Sequence, residues 1–92
     1  MAPSPSDPSV RIQVRLFATY REIAGTGELT WTAEPGTTLG GFLEAFLRGH
    51  PRLVPHRRSM LLAVNLAFAD PSTVLQEGDE VALLPPVSGG AP

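Results

Sequence analysis

The chain has 92 residues, no cysteine and a formal net charge of -2, and all seven of its basic residues are arginine. This length fits one small domain and excludes a two-domain protein. The lack of cysteine excludes disulfides, thiolate metal sites, a cysteine nucleophile and an iron–sulfur cluster, and the slightly negative charge argues against nucleic acid as a direct partner.

Residues 1–9 are rich in Pro and Ser and carry no apolar core, so we expect a disordered leader and not a signal peptide. No later apolar run approaches the roughly 20 residues of a membrane span. We therefore expect a soluble, cytoplasmic protein with no membrane partner. The folded domain is predicted over residues 10–84 and a flexible tail over residues 85–92.

Apolar and polar residues alternate over residues 10–17, which predicts a half-buried first strand. Its core-facing residues are Val10, Ile12, Val14 and Leu16. Phe17 is an exception, because it puts an aromatic ring on the face that otherwise carries Arg and Gln. A short helical turn over residues 18–24 and a turn over residues 25–27 lead to a second strand at residues 28–32, which is predicted to pair with the first as a hairpin.

The main helix is predicted after the break at residues 34–36, with Thr37 or Thr38 as its cap and Gly49 and Pro51 marking its end. Apolar residues recur within it at spacings of three and four, as expected for a stripe that packs on a sheet. These residues are Leu39, Phe42, Leu43, Phe46 and Leu47.

The basic stretch over residues 52–59 has neither helical nor strand periodicity, so we expect a solvated loop, with docking of an acidic partner as the alternative use. His50 and His56 lack a third ligand on a rigid element, so no metal site is expected. A catalytic trio of Ser59, His56 and Asp70 is not expected either, because chains of this length offer such trios often by chance.

The remaining pattern is a strand at residues 60–65, a short stretch at residues 66–69 that continues or pairs with it, and a last strand at residues 80–84. Turns are predicted at residues 70–72 and 76–79. Five strand segments with one main helix predict an α+β domain with a mixed sheet.

After the last strand, Pro85 and Pro86 cannot continue a sheet ladder, and the tail then becomes poor in side chains. Gly89 and Gly90 carry no Cβ, so their backbone can lie against walls that a larger residue would hit. A terminal Gly-Gly pair taken alone indicates no more than a frayed end.

Three motifs occur in order along the chain, and together they carry a family resemblance. They read VRLFATYREIAG, LLAVN and LxxGDEVALLPPVSGG. They resemble the MoaD/ThiS-like family of ubiquitin-like sulfur carriers, which includes the small subunit of molybdopterin synthase, over residues 10–90. The resemblance implies a β-grasp fold, with one main helix across a mixed sheet and the first and last strands side by side at its centre.

The resemblance also implies a mechanism centred on Gly90, with Gly89 preceding it in the tail. An ATP-dependent activating enzyme adenylates the Gly90 carboxylate, a sulfurtransferase supplies sulfur to give a thiocarboxylate, and the tail delivers this sulfur inside the large synthase subunit to form the dithiolene of molybdopterin. The chain itself is then a non-catalytic subunit that binds no cofactor, while its partner uses ATP. The family's functional form ends at the second glycine, whereas Ala91 and Pro92 follow Gly90 here. We expect a peptidase to remove them; use of Pro92 as the terminus, loss of the carrier role or a cloning scar are the alternatives.

Two other functions remain open at this point. The chain could carry sulfur for tRNA thiolation or for thiamine or cysteine synthesis. It could also be a ubiquitin-like modifier that forms isopeptides through Gly90, or an interaction module without sulfur chemistry.

Side chains alternate between the two faces of a β-strand, and this alternation places Phe17, Leu61 and Leu84 opposite the core-facing residues. We therefore expect these three residues to share one outer face beside the tail. Such an exposed apolar patch is typical of a binding site. With Pro85, Pro86 and Val87 (the start of the tail) it is predicted to dock the large subunit or the activating enzyme. The alternative is that a loop covers these residues or that they complete the core.

Overall fold

The computed structural model describes residues 9–86, which form a five-stranded sheet with two α-helices. The elements, in chain order, are β1 Val10–Leu16, α1 Ala18–Ala24, β2 Glu28–Ala33, α2 Leu39–Gly49, a 3-10 helix Pro51–Ser59, β3 Leu61–Val64, β4 Ala67–Phe68 and β5 Glu80–Leu84. The predicted strands and helices are all present, with ends that differ by one or two residues. Residues 1–8 of the predicted leader and 87–92 of the predicted tail lie outside the described residues. Among residues 9–86, the helices lack the length and hydrophobicity that a membrane span requires.

The 3-10 helix replaces a segment that was predicted to be an irregular loop, and that prediction was wrong. Pro51 suits its first position, where a missing N–H costs nothing. Leu53 is fully buried, and its N–H donates to the carbonyl oxygen of His50 at 2.9 Å. Because the segment buries this one side chain and exposes most others, it leaves no apolar repeat for a periodicity argument to detect.

The sheet has the strand order β2-β1-β5-β3-β4, with β1 and β5 parallel and the other neighbouring pairs antiparallel. The first and last strands are therefore central neighbours, as the family resemblance implied. Strand β5 is hydrogen-bonded to β1 on one side and to β3 on the other. Its last residue, Leu84, thus leads into the tail from a strand that is paired on both edges.

Helix α2 covers one face of the sheet, and its predicted apolar stripe, residues 39–47, forms the centre of the core. The sheet contributes alternate residues from β1 and β5 to this core, namely Ile12, Val14, Leu16, Val81 and Leu83. Trp31 on β2 meets the rings of Phe42 and Phe46 edge-on, with centroid separations of 5.6 and 5.7 Å. This geometry is favourable for aromatic pairs and closes the core at the β2 side.

The first turn of α2 lies against the chain before β5. Thr38 is the cap that the sequence left undecided between two threonines, since its Oγ1 accepts from the N–H of Gly41 at 3.1 Å. The N–H of Gly40 donates to the Pro71 carbonyl oxygen at 2.9 Å, and a Cβ at position 40 would lie 3.3 Å from that oxygen. Glycine at position 40 therefore permits this close approach.

Candidate functional site

Phe17, Leu84 and Leu61 lie in one row across three adjacent strands on the face of the sheet opposite α2. Leu61 is the direct partner of Leu84, and the N–H of Phe17 donates to the carbonyl oxygen of Leu83 at 3.2 Å. Leu61 and Leu84 are half-buried, while 41% of Phe17 is exposed. We call these three residues the apolar row; the structure brings them together as the sequence predicted.

A backbone feature at the end of β1 keeps Phe17 on this face. Phe17 is extended, with φ -117° and ψ 152°, and Ala18 then has φ +52°. A positive φ is unfavourable for any residue with a Cβ. Here it turns the chain sharply from the strand into α1 immediately after Phe17.

The tail begins at the end of this row. Pro85 is half-buried and Pro86 is exposed, and neither residue has an N–H to donate to a neighbouring strand. Val87, Gly89 and Gly90, which were also predicted as site residues, lie outside the described residues. The predicted binding segment is thus placed as far as Pro86, next to the half-buried Leu84.

Two exposed apolar residues near this face were missed by the sequence analysis. Phe68 on β4 is the direct partner of Ala63 on β3, so its side chain lies on the same face as Leu61. Phe68 is 76% exposed, and Leu66 in the adjacent turn is 89% exposed. A two-residue hairpin at residues 65–66 would have given this register, but the sequence pattern left the pairing of residues 66–69 open.

The other half of the open face is polar. Arg15 on β1 pairs with Glu80 on β5 at 3.0 Å, and the side chain of Gln13 donates to Thr30 Oγ1 at 3.3 Å. Exposed pairs of this kind contribute little to stability. The apolar half, on β5, β3 and β4 together with Phe17 at the end of β1, is therefore the candidate docking surface.

An open groove of about 470 Å³ borders Phe17 on the α1 side. Arg15 and Arg21 line it together with Glu28. The Arg21 side chain lies across Gly27, where an added Cβ would be 3.0 Å from its Nε. The groove places cationic groups at the margin of the apolar row.

The histidines have structural environments. The His50 ring stacks on that of Phe46 with centroids 4.2 Å apart, and its Nδ1 lies 3.0 Å from the Phe46 carbonyl oxygen. His56 lies against Tyr20, with ring centroids 5.5 Å apart. Within residues 9–86, no group of three or more His, Asp and Glu side chains could hold a metal ion.

The residues of the hypothetical catalytic trio make separate local contacts. Ser59 Oγ donates to the His56 carbonyl oxygen at 3.3 Å, not to its ring. The Asp70 carboxylate accepts from the Ser72 hydroxyl and, at 3.1 Å, from the Ser72 N–H, and these bonds lower the pKa of Asp70. This geometry does not support nucleophilic catalysis by these side chains.

Tyr20 is a buried polar residue on the helix side of the sheet. Its hydroxyl has no hydrogen-bond partner among the described residues. Burial raises the pKa of the Tyr20 hydroxyl. The nearby Ser59 hydroxyl offsets part of this rise, although Ser59 Oγ donates its hydrogen bond to the His56 carbonyl oxygen. Tyr20 therefore belongs to the core and not to the docking surface.

A five-stranded mixed sheet with parallel central first and last strands, crossed by one main helix, defines a ubiquitin-like β-grasp protein. The open apolar face beside the exit of the tail is the candidate site of this domain. The chain belongs to the ThiS family, whose model matches residues 14–90. This match confirms the resemblance that the three motifs indicated.

Individual relatives agree with the family assignment. The molybdopterin synthase sulfur carrier subunit of Arabidopsis thaliana is 38% identical over 82 residues, which cover 89% of this chain and 85% of that protein. A chain in the complex of subunits 1 and 2 of molybdopterin-converting factor from Helicobacter pylori is similar with a TM-score of 0.66 and 29% identity, over 88% of this chain and 100% of that one. The small archaeal modifier protein 1 of Haloferax volcanii is similar with a TM-score of 0.75 and 27% identity, over 85% of this chain and 99% of that one.

Proposed function

We propose that this chain is the sulfur-carrier subunit of a molybdopterin synthase and carries sulfur as a thiocarboxylate on Gly90. The observation that carries this proposal is the apolar row of Phe17, Leu84 and Leu61 at the point where β5 leads into Pro85 and Pro86. A partner that binds this row also receives the segment that ends in Gly89 and Gly90. The similarity to the Arabidopsis thaliana sulfur carrier subunit supports the same role.

The chemistry follows from what the chain contains. It has no Cys, so no side-chain thiol can carry sulfur, and the resemblance to the sulfur-carrier family implies that sulfur is attached to the carboxyl group of Gly90. ATP converts that carboxylate into an acyl-adenylate with release of pyrophosphate, and a sulfur nucleophile then displaces AMP to leave the thiocarboxylate. Each transfer moves one sulfur atom to a cyclic pyranopterin, and water supplies the oxygen that restores the carboxylate, so two transfers provide the two sulfur atoms of a dithiolene.

The catalytic groups for these steps belong to partners. We assign adenylation to an ATP-dependent activating enzyme, sulfur supply to a sulfurtransferase and dithiolene formation to the large synthase subunit. In this sequence the Gly90 carbonyl is bonded to Ala91, and an amide cannot be adenylated in this way. A peptidase that removes Ala91 and Pro92 is therefore part of the proposal, whereas the cytoplasmic location stays a prediction.

The test compares the full chain with a chain that stops after Gly90. Each is given the activating enzyme, ATP and a sulfur donor, and intact mass is measured before the large subunit and the pterin substrate are added. We expect the mass increment of sulfur for oxygen, and later dithiolene formation, for the chain ending at Gly90. A chain that also lacks Gly90 is expected to bind its partners and transfer no sulfur.

Two outcomes would contradict the proposal. Equal sulfur transfer by an uncleaved full-length chain would show that Gly90 is not the carrier residue. Failure of both forms, with a confirmed carrier as positive control for the enzymes, would remove the sulfur-carrier role.

A second candidate function is protein modification, which the similarity to the small archaeal modifier protein 1 of Haloferax volcanii favours. A modifier would join Gly90 to lysine side chains of other proteins. Mass spectrometry after activation in cell extract separates protein modification from sulfur carrying. A modifier leaves glycine remnants linked to lysine side chains, whereas a dedicated sulfur carrier leaves none. Sulfur transfer in tRNA thiolation or in thiamine or cysteine synthesis is tested by replacing the pterin with those acceptors.

A further inference from the structure

The basic residues of this chain are unevenly distributed. Residues 45–69 contain four of the seven arginines and both histidines, whereas all nine acidic residues lie outside that range. The range includes the 3-10 helix Pro51–Ser59, which packs with α1 and α2 on the helix-covered side of the sheet. A protein with a net charge of -2 therefore has one cationic surface, and that surface lies away from the open face of the sheet.

The geometry of the 3-10 helix sorts its side chains into lines. Side chains three residues apart lie one above the other in such a helix. Leu53 is buried and His56 is half-buried on the inner line, whereas Arg52, Pro55 and Arg58 are exposed on an outer line. We call these three exposed residues the cationic ridge. At a rise of about 2.0 Å per residue, the Cα atoms of its two arginines lie about 12 Å apart.

The two arginines of the cationic ridge are free to meet another molecule. Three other arginines are paired with glutamates, namely Arg11 with Glu77, Arg15 with Glu80 and Arg57 with Glu44. Arg52 and Arg58 have no such carboxylate partner within residues 9–86. A guanidinium stays charged in proteins and presents five N–H donors whose geometry matches a carboxylate. The ridge therefore offers two unused sites for carboxylate groups.

Apolar surface lies between and beside these two charges. Pro55 separates Arg52 from Arg58 on the ridge, and the adjacent Val54 is 49% exposed. Protein interfaces combine an apolar centre with a polar rim and are enriched in arginine. Pro55 also fixes a backbone φ angle at the centre of the ridge, which lowers the cost of ordering this surface on binding. The ridge thus has the composition and rigidity of a surface that binds protein.

The occupant that these features favour is an acidic protein segment and not a nucleic acid. Single-stranded nucleic acids are bound by cationic grooves with exposed aromatic rings on which the bases stack. The 3-10 helix carries no Phe, Tyr or Trp, and its His56 ring lies against the buried Tyr20, with ring centroids 5.5 Å apart. The net charge of -2 also opposes a long polyanion, whereas a short acidic segment meets only the local positive charge.

A second copy of the chain fits the ridge less well, because the acidic residues near β5 are already engaged. Glu77 and Glu80 are paired with arginines of β1, and Asp79 accepts from the Asn65 side-chain amide at 2.9 Å. A head-to-tail contact between two copies through these residues would have to break their present interactions. An acidic segment of another protein does not.

We propose that the cationic ridge binds a short acidic segment of a partner protein. In an extended segment, residues four apart lie on one side and about 13 Å from each other, since each residue adds about 3.3 Å. Two acidic residues with this spacing match Arg52 and Arg58. The residue midway between them is apolar and contacts Pro55. Binding here leaves the open face of the sheet and the tail free, so the inference does not depend on sulfur chemistry at Gly90.

The test titrates the isotopically labelled full chain with the capped peptide Glu-Ser-Val-Ser-Glu and follows the backbone amides by NMR. We expect shifts over residues 51–59, a Kd on the order of 1 mM, and weaker binding at high salt because exposed charges are screened. A peptide with Gln in place of both Glu residues is expected to cause no such shifts. The peptide Glu-Glu-Ser-Val-Ser, of the same composition, is expected to bind about threefold more weakly because its two carboxylates are too close together to reach both arginines.

Substitutions connect this binding to the ridge. Arg52→Gln and Arg58→Gln are each expected to raise Kd by about threefold or more. Their melting temperatures are expected to match that of wild type, because both residues are exposed and lose no ion pair. Arg11→Gln is the matched control, since it removes the same charge from an exposed site on β1, and it is expected to raise Kd less than about twofold.

The inference is overturned if Glu-Ser-Val-Ser-Glu leaves residues 51–59 unshifted or if Glu-Glu-Ser-Val-Ser binds equally well. It is also overturned if Arg11→Gln weakens binding as much as the two ridge variants do. Tighter binding of an oligouridine RNA than of the peptide at the same residues would assign the ridge to nucleic acid instead. Sedimentation that shows self-association lost in Arg52→Gln would assign the ridge to a second copy of the chain. Sulfur loading at Gly90, measured by intact mass, is a separate readout, so each proposal can fail without the other.

Discussion

On the helix-covered face of the sheet, Val14 and Leu16 have almost no surface in contact with solvent, whereas on the open face Phe17 and Phe68 keep much of theirs exposed. Leu16 and Phe17 are adjacent in sequence and of similar hydrophobicity, so composition does not distinguish them. The alternation of side chains along a strand does distinguish them, because it directs Leu16 into the core and Phe17 to the opposite face. The apolar surface of this small protein therefore supports folding on one face and, in our proposal, recognition on the other.

The comparison is tested most directly by placing the same charge on each face. Leu16→Asp would bury a carboxylate with no partner, at a cost of about 4 kcal/mol or more. That is a large share of the 5–15 kcal/mol, roughly, that stabilises a small domain. Phe17→Asp removes no core contact, so we expect its free energy of unfolding to stay within about 1 kcal/mol of wild type while binding to the large subunit is lost.

Urea titration followed by circular dichroism, together with binding measurements, checks both variants. Leu16→Asp is expected to unfold at a much lower urea concentration than wild type. Collapse of Phe17→Asp would show that Phe17 is a core residue and would remove the distinction between the faces at this position.

Much of the fold could be predicted because strands and helices leave a local period in the sequence. Alternation located β1 and placed Phe17 opposite the core, and the spacing of apolar residues located α2. The candidate site is harder to predict, because it depends on pairing between strands and not on a local period. Phe68 joins the candidate docking surface only through its pairing with Ala63, which depends on the turn between β3 and β4.

Two other features could not be read from the residues that carry them. Ala18 and Leu66 adopt positive φ, a conformation that glycine usually indicates in a sequence. Because neither residue is glycine, the sequence does not indicate either turn. The 3-10 helix over Pro51–Ser59 buries Leu53 alone and therefore lacks a repeat. In each case the surrounding tertiary structure determines the local conformation.

A second prediction concerns how closely the helix-covered side is packed. A Cβ at Gly40 would lie 3.3 Å from two atoms of Pro71, whereas a Cβ at Gly49 would have nothing within 4 Å. Gly49→Ala is therefore expected to stabilise the fold by up to about 1 kcal/mol, the usual gain in a helix. Gly40→Ala is expected to gain nothing or lose about 1 kcal/mol, because the methyl group must displace Pro71.

Thermal unfolding of these two alanine variants measures the difference. Equal stabilisation by both would show that the first turn of α2 is not closely packed against Pro71. A loss of stability for Gly49→Ala and none for Gly40→Ala would contradict this expectation, because it would indicate tight packing at the C-terminal end of α2 instead of at its first turn.

The smallest expected effect concerns the buried polar group of the helix-covered side. Burial raises the pKa of Tyr20 above its ordinary value of 10.0, so the unfolded chain loses this proton at a lower pH than the folded chain. The contribution of this raised pKa to the free energy of unfolding is complete below pH 10, and it is lost as the pH rises from there through the pKa of the folded state. With one tyrosine and neither Lys nor Cys in the sequence, Tyr20 is the side chain that titrates in this range, since arginine stays charged.

We therefore expect the free energy of unfolding of the wild-type chain to decline above pH 10 and that of Tyr20→Phe to decline less. At neutral pH the variant is expected to be as stable as wild type or more stable by up to about 1 kcal/mol, because it removes a buried hydroxyl that has no partner among residues 9–86. Urea unfolding at a series of pH values, with tyrosinate absorbance as the probe of ionisation, measures both effects. Identical pH profiles for the two chains would mean that the Tyr20 hydroxyl is accessible to solvent, and the helix-covered face would then be less closed than its apolar residues indicate.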